Sequence, residues 1–242
     1  KSAPSSKKEN LSYQVVFYNV ENLFDTINQE GVNDGEFTPE SKKAWNSEKY
    51  QVKLDHIEQV LSSIDSNGQI ACIGLSEVEN RTVLEDLVQK GFLRQRNFKI
   101  EHFESPDFRG IDVAFLYNPQ LIKPISSKAI YVNLQDSNKT TRDILKVKVQ
   151  GPDSQEMLMY INHWPSRWGG TEQTNAKRVN AASTLRRDLN EELAKDSEQQ
   201  VIIMGDLNDY PDNESVFNTL EADSVPGGFL YNATWEIHKD PN

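Results

Sequence analysis

Apolar positions fall along the chain in two rhythms. Between Tyr13 and Val20, "YQVVFYNV" crowds β-branched and aromatic residues together, as a strand does. From about 47 to 64, Tyr50, Leu54, Ile57, Leu61 and Ile64 recur at three- and four-residue steps. That spacing predicts a helix with one buried face. "QIACIGLS" is an unbroken apolar run, expected of a strand covered on both sides. Asn80 is a good capping residue for a second helix through Leu84, Leu87 and Val88, with Gly91 as its stop. Strand-like runs follow at 98–103, 111–117, 129–134, 143–149 and 156–161. A long helix over about 173–195 sets Ala182, Leu185, Leu189 and Leu193 on one face. "QVIIMGD" reads as another buried strand, and "NESVFNTL" as a short helix after a turn at Pro211.

The remaining stretches are polar. Residues 28–43 read as a loop, and residues 1–12, rich in Ser, Lys and Pro, as a disordered leader. No internal repeat or linker interrupts the rest. The order of elements predicts an α/β fold, a single domain over 13–242 whose mixed sheets are covered by helices.

Composition narrows the function. The chain has 242 residues, 36% hydrophobic and 26% charged, which suits a soluble globular protein. No apolar run approaches the roughly 20 residues of a membrane span. The formal net charge of −11 argues against a protein that coats duplex nucleic acid, because that affinity comes from Lys and Arg on phosphates. An enzyme that grips a few phosphates locally, with a divalent cation supplying positive charge, stays open. Cys72 is the single cysteine, and its apolar neighbours predict a buried thiol. The polar start without a methionine reads as a trimmed start or a spacer left after signal removal. This favours a secreted, periplasmic or lipoprotein-anchored protein over a cytoplasmic one.

Four apolar runs each end in a polar cluster. "VVFYNVEN" delivers Asn19 and Glu21, and "IGLSEVEN" delivers Glu77 and Glu79. "MLMYINHWPSR" delivers His163 and Arg167, and "VIIMGDLND" delivers Asp206, Asn208 and Asp209. Open α/β sheets place sites beyond the carboxyl ends of strands, so one pocket can collect all four. Its carboxylate and amide oxygens suit Mg²⁺, with Mn²⁺ or Ca²⁺ as alternatives, rather than zinc. Arg167 offers a fork for phosphate oxygens and His163 a donor. Metal, arginine, histidine and asparagine around one point form a site for charge developing on phosphorus.

In this order the clusters resemble the endonuclease/exonuclease/phosphatase superfamily, which includes deoxyribonuclease I. "NVENLFD", "GLSEVEN", "RGIDVAFLYNP", "INHWPSRWGG" and "GDLND" are similar to its successive motifs, the third in the form seen in extracellular bacterial members. The resemblance spans about 15 to 210. It implies a four-layer α/β sandwich, two mixed β-sheets packed face to face with helices outside. It implies Glu77 and Asn19 at the metal and His163 on the scissile phosphate. Asp206 would orient or activate the attacking water, and Asn208 would stabilise the phosphorane oxygens. Arg109 and Asp112 belong at the pocket rim and Arg167 on a substrate phosphate, with Trp164 beside it. Whether the aromatics of this loop stack on a base or pack against Arg178 stays open. The family's late Asp-His pair is missing, since His238 follows Ile237. The resemblance therefore leads one to expect a natural protein with a further carboxyl-terminal segment, and a second sheet here without its last strands.

The expected function is metal-dependent phosphodiester hydrolysis, nuclease-like, with a nucleic acid or a small phosphodiester as partner. A phosphatase acting on a phosphorylated sugar, lipid or inositol, and a phosphate-binding module without catalysis, are the alternatives.

Overall fold

A computed structural model describes residues 12–65, 68–135, 139–227 and 229–240. Most of the expected leader, residues 1–11, lies outside the described residues. The first sheet contains β1 (Gln14–Leu23), β2 (Ile70–Val78), β3 (Lys99–His102) and β4 (Asp112–Tyr117) in the order β1-β2-β4-β3. β1 and β2 run parallel, and the other pairs are antiparallel. The second sheet is β5-β6-β7-β8, formed by Lys123–Ile130, Ile144–Gln150, Glu156–His163 and Gln200–Asp206. Here β7 and β8 are the parallel pair.

Burial explains the four layers. Cys72, Val113, Phe115, Leu145, Val147, Met159, Ile161 and Met204 fill the space between the sheets. Burial there pushes the Cys72 thiol up to about 12, so it is an inert packing group. α1 (Ser47–Ile64) and α2 (Arg81–Val88) bring Leu54, Leu61, Leu84 and Leu87 onto the outer face of the first sheet. Each of these fully buried leucines contributes about 1.5–3 kcal/mol. α4 (Thr171–Leu193) covers the second sheet with Ala182, Leu185 and Leu189. The sheets approach closely at Gly74, where an added Cβ would stand 3.0 Å from Met204 Sδ. This is the double-sheet sandwich that the family resemblance implies. Among the described residues no helix is long and apolar enough to cross a membrane.

Two expectations differ from the structure. The strand expected at 129–134 lies earlier, at β5, in "KPISSKAI". That outer strand is largely exposed and tolerates Pro124, so its pairing comes from backbone bonds to β6 and leaves no apolar signal. Val132 and Leu134 are buried without being in a strand, and they gave the false run. Gly91 does not stop α2, which ends at Val88; it opens the short α3 (Gly91–Gln95). A helical turn at Glu214–Thr219, the short strands β9 (Ala222–Asp223) and β10 (Leu230–Tyr231), and α5 (Trp235–Lys239) complete the chain order.

Irregularities in the strands aim the polar groups. Asn19 pairs with Ser76 and Leu23 with Val78, so β1 carries a wide bulge. Glu77 sits opposite it with φ 63°. On β4, Val113 pairs with Ser76 and Asp112 with Val78, leaving Glu77 unpaired on that side too. Bulges of this kind turn a side chain out of the sheet's alternation. In the second sheet the register sets His163 against Asp206 and Asn162 against Gly205. A Cβ on Gly205 would meet the Asn162 carbonyl oxygen at 2.4 Å. The variant Gly205→Ala is therefore expected to lose about 1–3 kcal/mol in urea unfolding, through a forced separation of β7 from β8. Wild-type stability in that variant would refute this account of the close contact.

Candidate active site

The strand ends converge on the Asn19 side-chain amide. Its Nδ2 donates to Asp206 Oδ2 at 3.0 Å and lies 3.4 Å from Glu77 Oε1. Its Oδ1 accepts the Glu21 N–H at 2.9 Å, which fixes which end faces the carboxylates. One amide thus joins the acid of the first sheet to the acid of the second. Asp206 Oδ1 accepts the Asn208 N–H at 3.0 Å, folding the chain back after β8. Asn208 takes φ 52° and donates its side-chain amide to Trp164 O at 3.0 Å.

His163 lies against the same group, its Nε2 3.8 Å from Glu77 Oε1. Its Nδ1 is buried without a hydrogen-bond partner. Burial, and then the nearby Arg142 and Arg109 guanidinium groups, hold the imidazole well below its usual value of 6.5. It is neutral at pH 7 and can offer one N–H to a phosphate oxygen without bringing a full charge.

Arg142 was not foreseen. It is buried, donating Nε to His163 O at 3.1 Å and Nη2 to Trp164 O at 2.7 Å, while Nη1 pairs with Asp107 at 3.1 Å. It lies in "TTRDIL", outside every motif, and only the tertiary pairing reveals it. Asn162 adds to the same support, donating to Tyr160 O and Met204 O and accepting Trp164 Nε1–H.

The expected substrate contacts are distributed differently. Trp164 is 1% exposed and packs against α4, so its ring has no face for a substrate. The expectation of Trp164 as a substrate contact is corrected by that burial. Asp112, expected at the rim, is buried beneath it, where it takes His102 Nε2 at 3.0 Å and the Ser105 N–H at 2.8 Å. Arg109 is half-buried, and its Nη2 donates to Asn22 Oδ1. Arg167 grips the loop after β8, through Asn208 O at 2.8 Å, Asp209 at 2.9 Å and Asn213 at 2.7 Å. Asp209 also pairs with the fully buried Arg178 of α4 at 2.8 Å. His238, the late histidine, pairs with Asp212 at 3.1 Å and stacks on Tyr210.

Glu77 and Asp206 bring carboxylate oxygens from both sheets, a hard donor pair that fits a divalent cation such as Mg²⁺, while the Asn19 oxygen expected at the metal is taken by the Glu21 N–H. A second grouping, His102, Glu104 and Asp112, brings its ligand atoms within 4.8 Å of one another. There His102 Nε2 already pairs with Asp112 Oδ2 at 3.0 Å, and Asp112 Oδ1 accepts the Ser105 N–H.

The double-sheet sandwich brings acids, amides and a histidine to one point at its strand ends. The model of the endonuclease/exonuclease/phosphatase family matches residues 14–241, and the chain belongs to that family. Its members are phosphoester hydrolases. No curated protein matches the chain. Among solved structures, the human Nocturnin catalytic domain with a bound sulfate anion superposes with a TM-score of 0.58 at 16% identity, covering 84% of this chain and 67% of that one. The Bacteroides thetaiotaomicron mannosyl-6-phosphatase gives a TM-score of 0.57 at 14% identity, covering 87% and 70%. TDP2 from C. elegans gives 0.55 at 15% identity; the match covers 88% of this chain and 51% of TDP2. Identities this low carry the shared fold alone.

Glu79, beside the site, gives a measurable signature. Its Oε2 accepts the Asp25 N–H at 2.7 Å. Burial raises its carboxyl to about 8, with Asp25, Asp34 and Glu104 adding to the rise against that hydrogen bond. A carboxyl raised in the fold keeps its full contribution at acid pH and loses it as pH climbs towards 8. Gln at this position keeps the shape of the protonated acid and removes the titration. The stability of Glu79→Gln relative to wild type is expected to improve between pH 5 and pH 8, by at most about 1.4 kcal/mol per unit. Urea unfolding at both pH values checks this, and a constant difference would contradict it.

Proposed function

We propose that the chain is a divalent-metal-dependent phosphodiesterase of the nuclease type. The observation that supports it is the Asn19 amide held between Glu77 and Asp206, with a neutral His163 at 3.8 Å from Glu77. Glu77 and Asp206 would hold the ion, with the Asn19 Nδ2 donor fixing the two carboxylates beside each other. Such an ion supplies positive charge at the phosphate oxygens and so lowers the barrier to attack.

The side chains divide the remaining work. His163 donates an N–H to a non-bridging phosphate oxygen, where charge grows in the transition state. Asp206 accepts the proton of the attacking water from its fixed place on β8. The Asn208 amide stabilises an equatorial oxygen of the phosphorane. Arg109, tied to Asn22, adds a positive field from the first sheet. Arg142 keeps the carbonyls of His163 and Trp164 in place.

Nicking of supercoiled plasmid with Mg²⁺ tests the proposal. Activity is expected to vanish with a chelator and to return when Mg²⁺ is restored. Glu77→Gln is expected to lower the rate at least about a hundredfold. Unchanged turnover in that variant would remove Glu77 from the reaction. Mannose 6-phosphate belongs in the same assay, because one structural neighbour is a mannosyl-6-phosphatase. Faster release of inorganic phosphate from it than nicking of DNA would replace this reading with a phosphatase.

A further inference from the structure

The segment 103–111 joins β3 to β4, and it is bracketed by side chains of metal-ligand type. His102 closes β3, Asp112 opens β4, and Glu104 stands between them in the chain. One ligand atom from each lies within 4.8 Å of the other two. His102 Nε2 is 3.0 Å from Asp112 Oδ2, and its Nδ1 is 3.9 Å from Glu104 Oε1. Donors on one tetrahedral Zn²⁺ stand about 3.3 Å apart, so this spacing is already near that of a metal site. The His102 and Asp112 side chains are each 2% exposed, whereas that of Glu104 is 64% exposed and leaves an entry path from water.

Charge points the same way. Among the described residues, the ion pairs of Glu104 and Asp112 both run to His102. Burial, and then the Asp112 carboxylate, raise the Glu104 carboxyl above its usual value. Asp143 also feels Asp112, and its Oδ1 is buried without a hydrogen-bond partner. Carboxylates crowded in this way favour a bound cation. We propose that His102, Glu104 and Asp112 form a second metal site, structural and selective for Zn²⁺, that clamps the loop between β3 and β4. An imidazole nitrogen with two carboxylate oxygens suits Zn²⁺, whereas the all-oxygen pair of Glu77 and Asp206 suits Mg²⁺. The ion takes the place of the proton between His102 Nε2 and Asp112 Oδ2, and that proton goes to water. The clamped segment carries Asp107, which balances Arg142, and Arg109, which reaches Asn22. This site stands independently of the phosphodiesterase reading.

Calorimetric titration of Zn²⁺ into the protein, with Mg²⁺ in large excess, tests the site on wild type, Glu104→Gln, His102→Gln and Glu77→Gln. Wild type is expected to bind a Zn²⁺ ion that Mg²⁺ does not displace, and Glu77→Gln to bind it equally well. Glu104→Gln, a change at an exposed side chain, is expected to weaken binding at least about tenfold, and His102→Gln to weaken it more. Hydrogen exchange over 103–111 should slow on Zn²⁺ addition in wild type and Glu77→Gln, and not in Glu104→Gln. No Zn²⁺ uptake, or uptake unweakened in Glu104→Gln, overturns the site. Loss in Glu77→Gln instead overturns it by assigning the ion to the strand-end centre. If the buried His102→Gln fails to fold, Glu104→Gln decides alone. Neither measurement uses hydrolysis, so failure here is distinct from failure of the nicking assay.

Discussion

Glu77 arrives on the first sheet and Asp206 on the second, and a single amide nitrogen from Asn19 faces both. Two carboxylates so placed repel one another unless something positive or hydrogen-donating stands between them. The whole sandwich serves to hold them there. The apolar layer around Cys72, Phe115 and Met204 fixes the spacing of the sheets, and Gly74 lets Met204 come close. The bulges opposite Glu77 turn its carboxylate towards the seam instead of letting it follow the strand's alternation. Packing, register and strand irregularity therefore all bear on one short polar contact.

Buried arginines form the second tier. Arg142 spends its guanidinium on the carbonyls of His163 and Trp164 and balances its charge on Asp107. Arg178 and Arg167 share Asp209, joining the helix α4 to the loop that carries Asn208. A buried charge without its partner is costly, so each pair demands the presence of the other loop. Of these groups, Arg142 also disfavours the charged imidazole. His163 stays neutral because it is buried and two guanidinium groups stand near it.

Much of this was legible in the chain. The helical spacing of Tyr50, Leu54, Ile57 and Leu61 gave α1 its buried face, and unbroken apolar runs gave β2 and β8. The polar residues at the ends of those runs are the ones the structure gathers: Asn19, Glu77, His163 and Asp206. What was hidden depends on distant neighbours. Arg142 carries no local pattern, because its function is to satisfy carbonyls on a different strand. Trp164 and Trp168 are four residues apart and look alike in sequence, yet one is in the core and the other in water. β5 escaped notice because backbone pairing at an outer strand needs no apolar side chains.

The parallel pairing of β7 with β8 has a kinetic meaning. His163 and Asp206 become neighbours only after the chain has run the whole length of α4 and returned to the sheet. Closing such a loop costs chain entropy before any contact repays it. The centre therefore exists only once this crossover has closed. For this protein, the meeting of His163 with Asp206 is a report that the second sheet is complete.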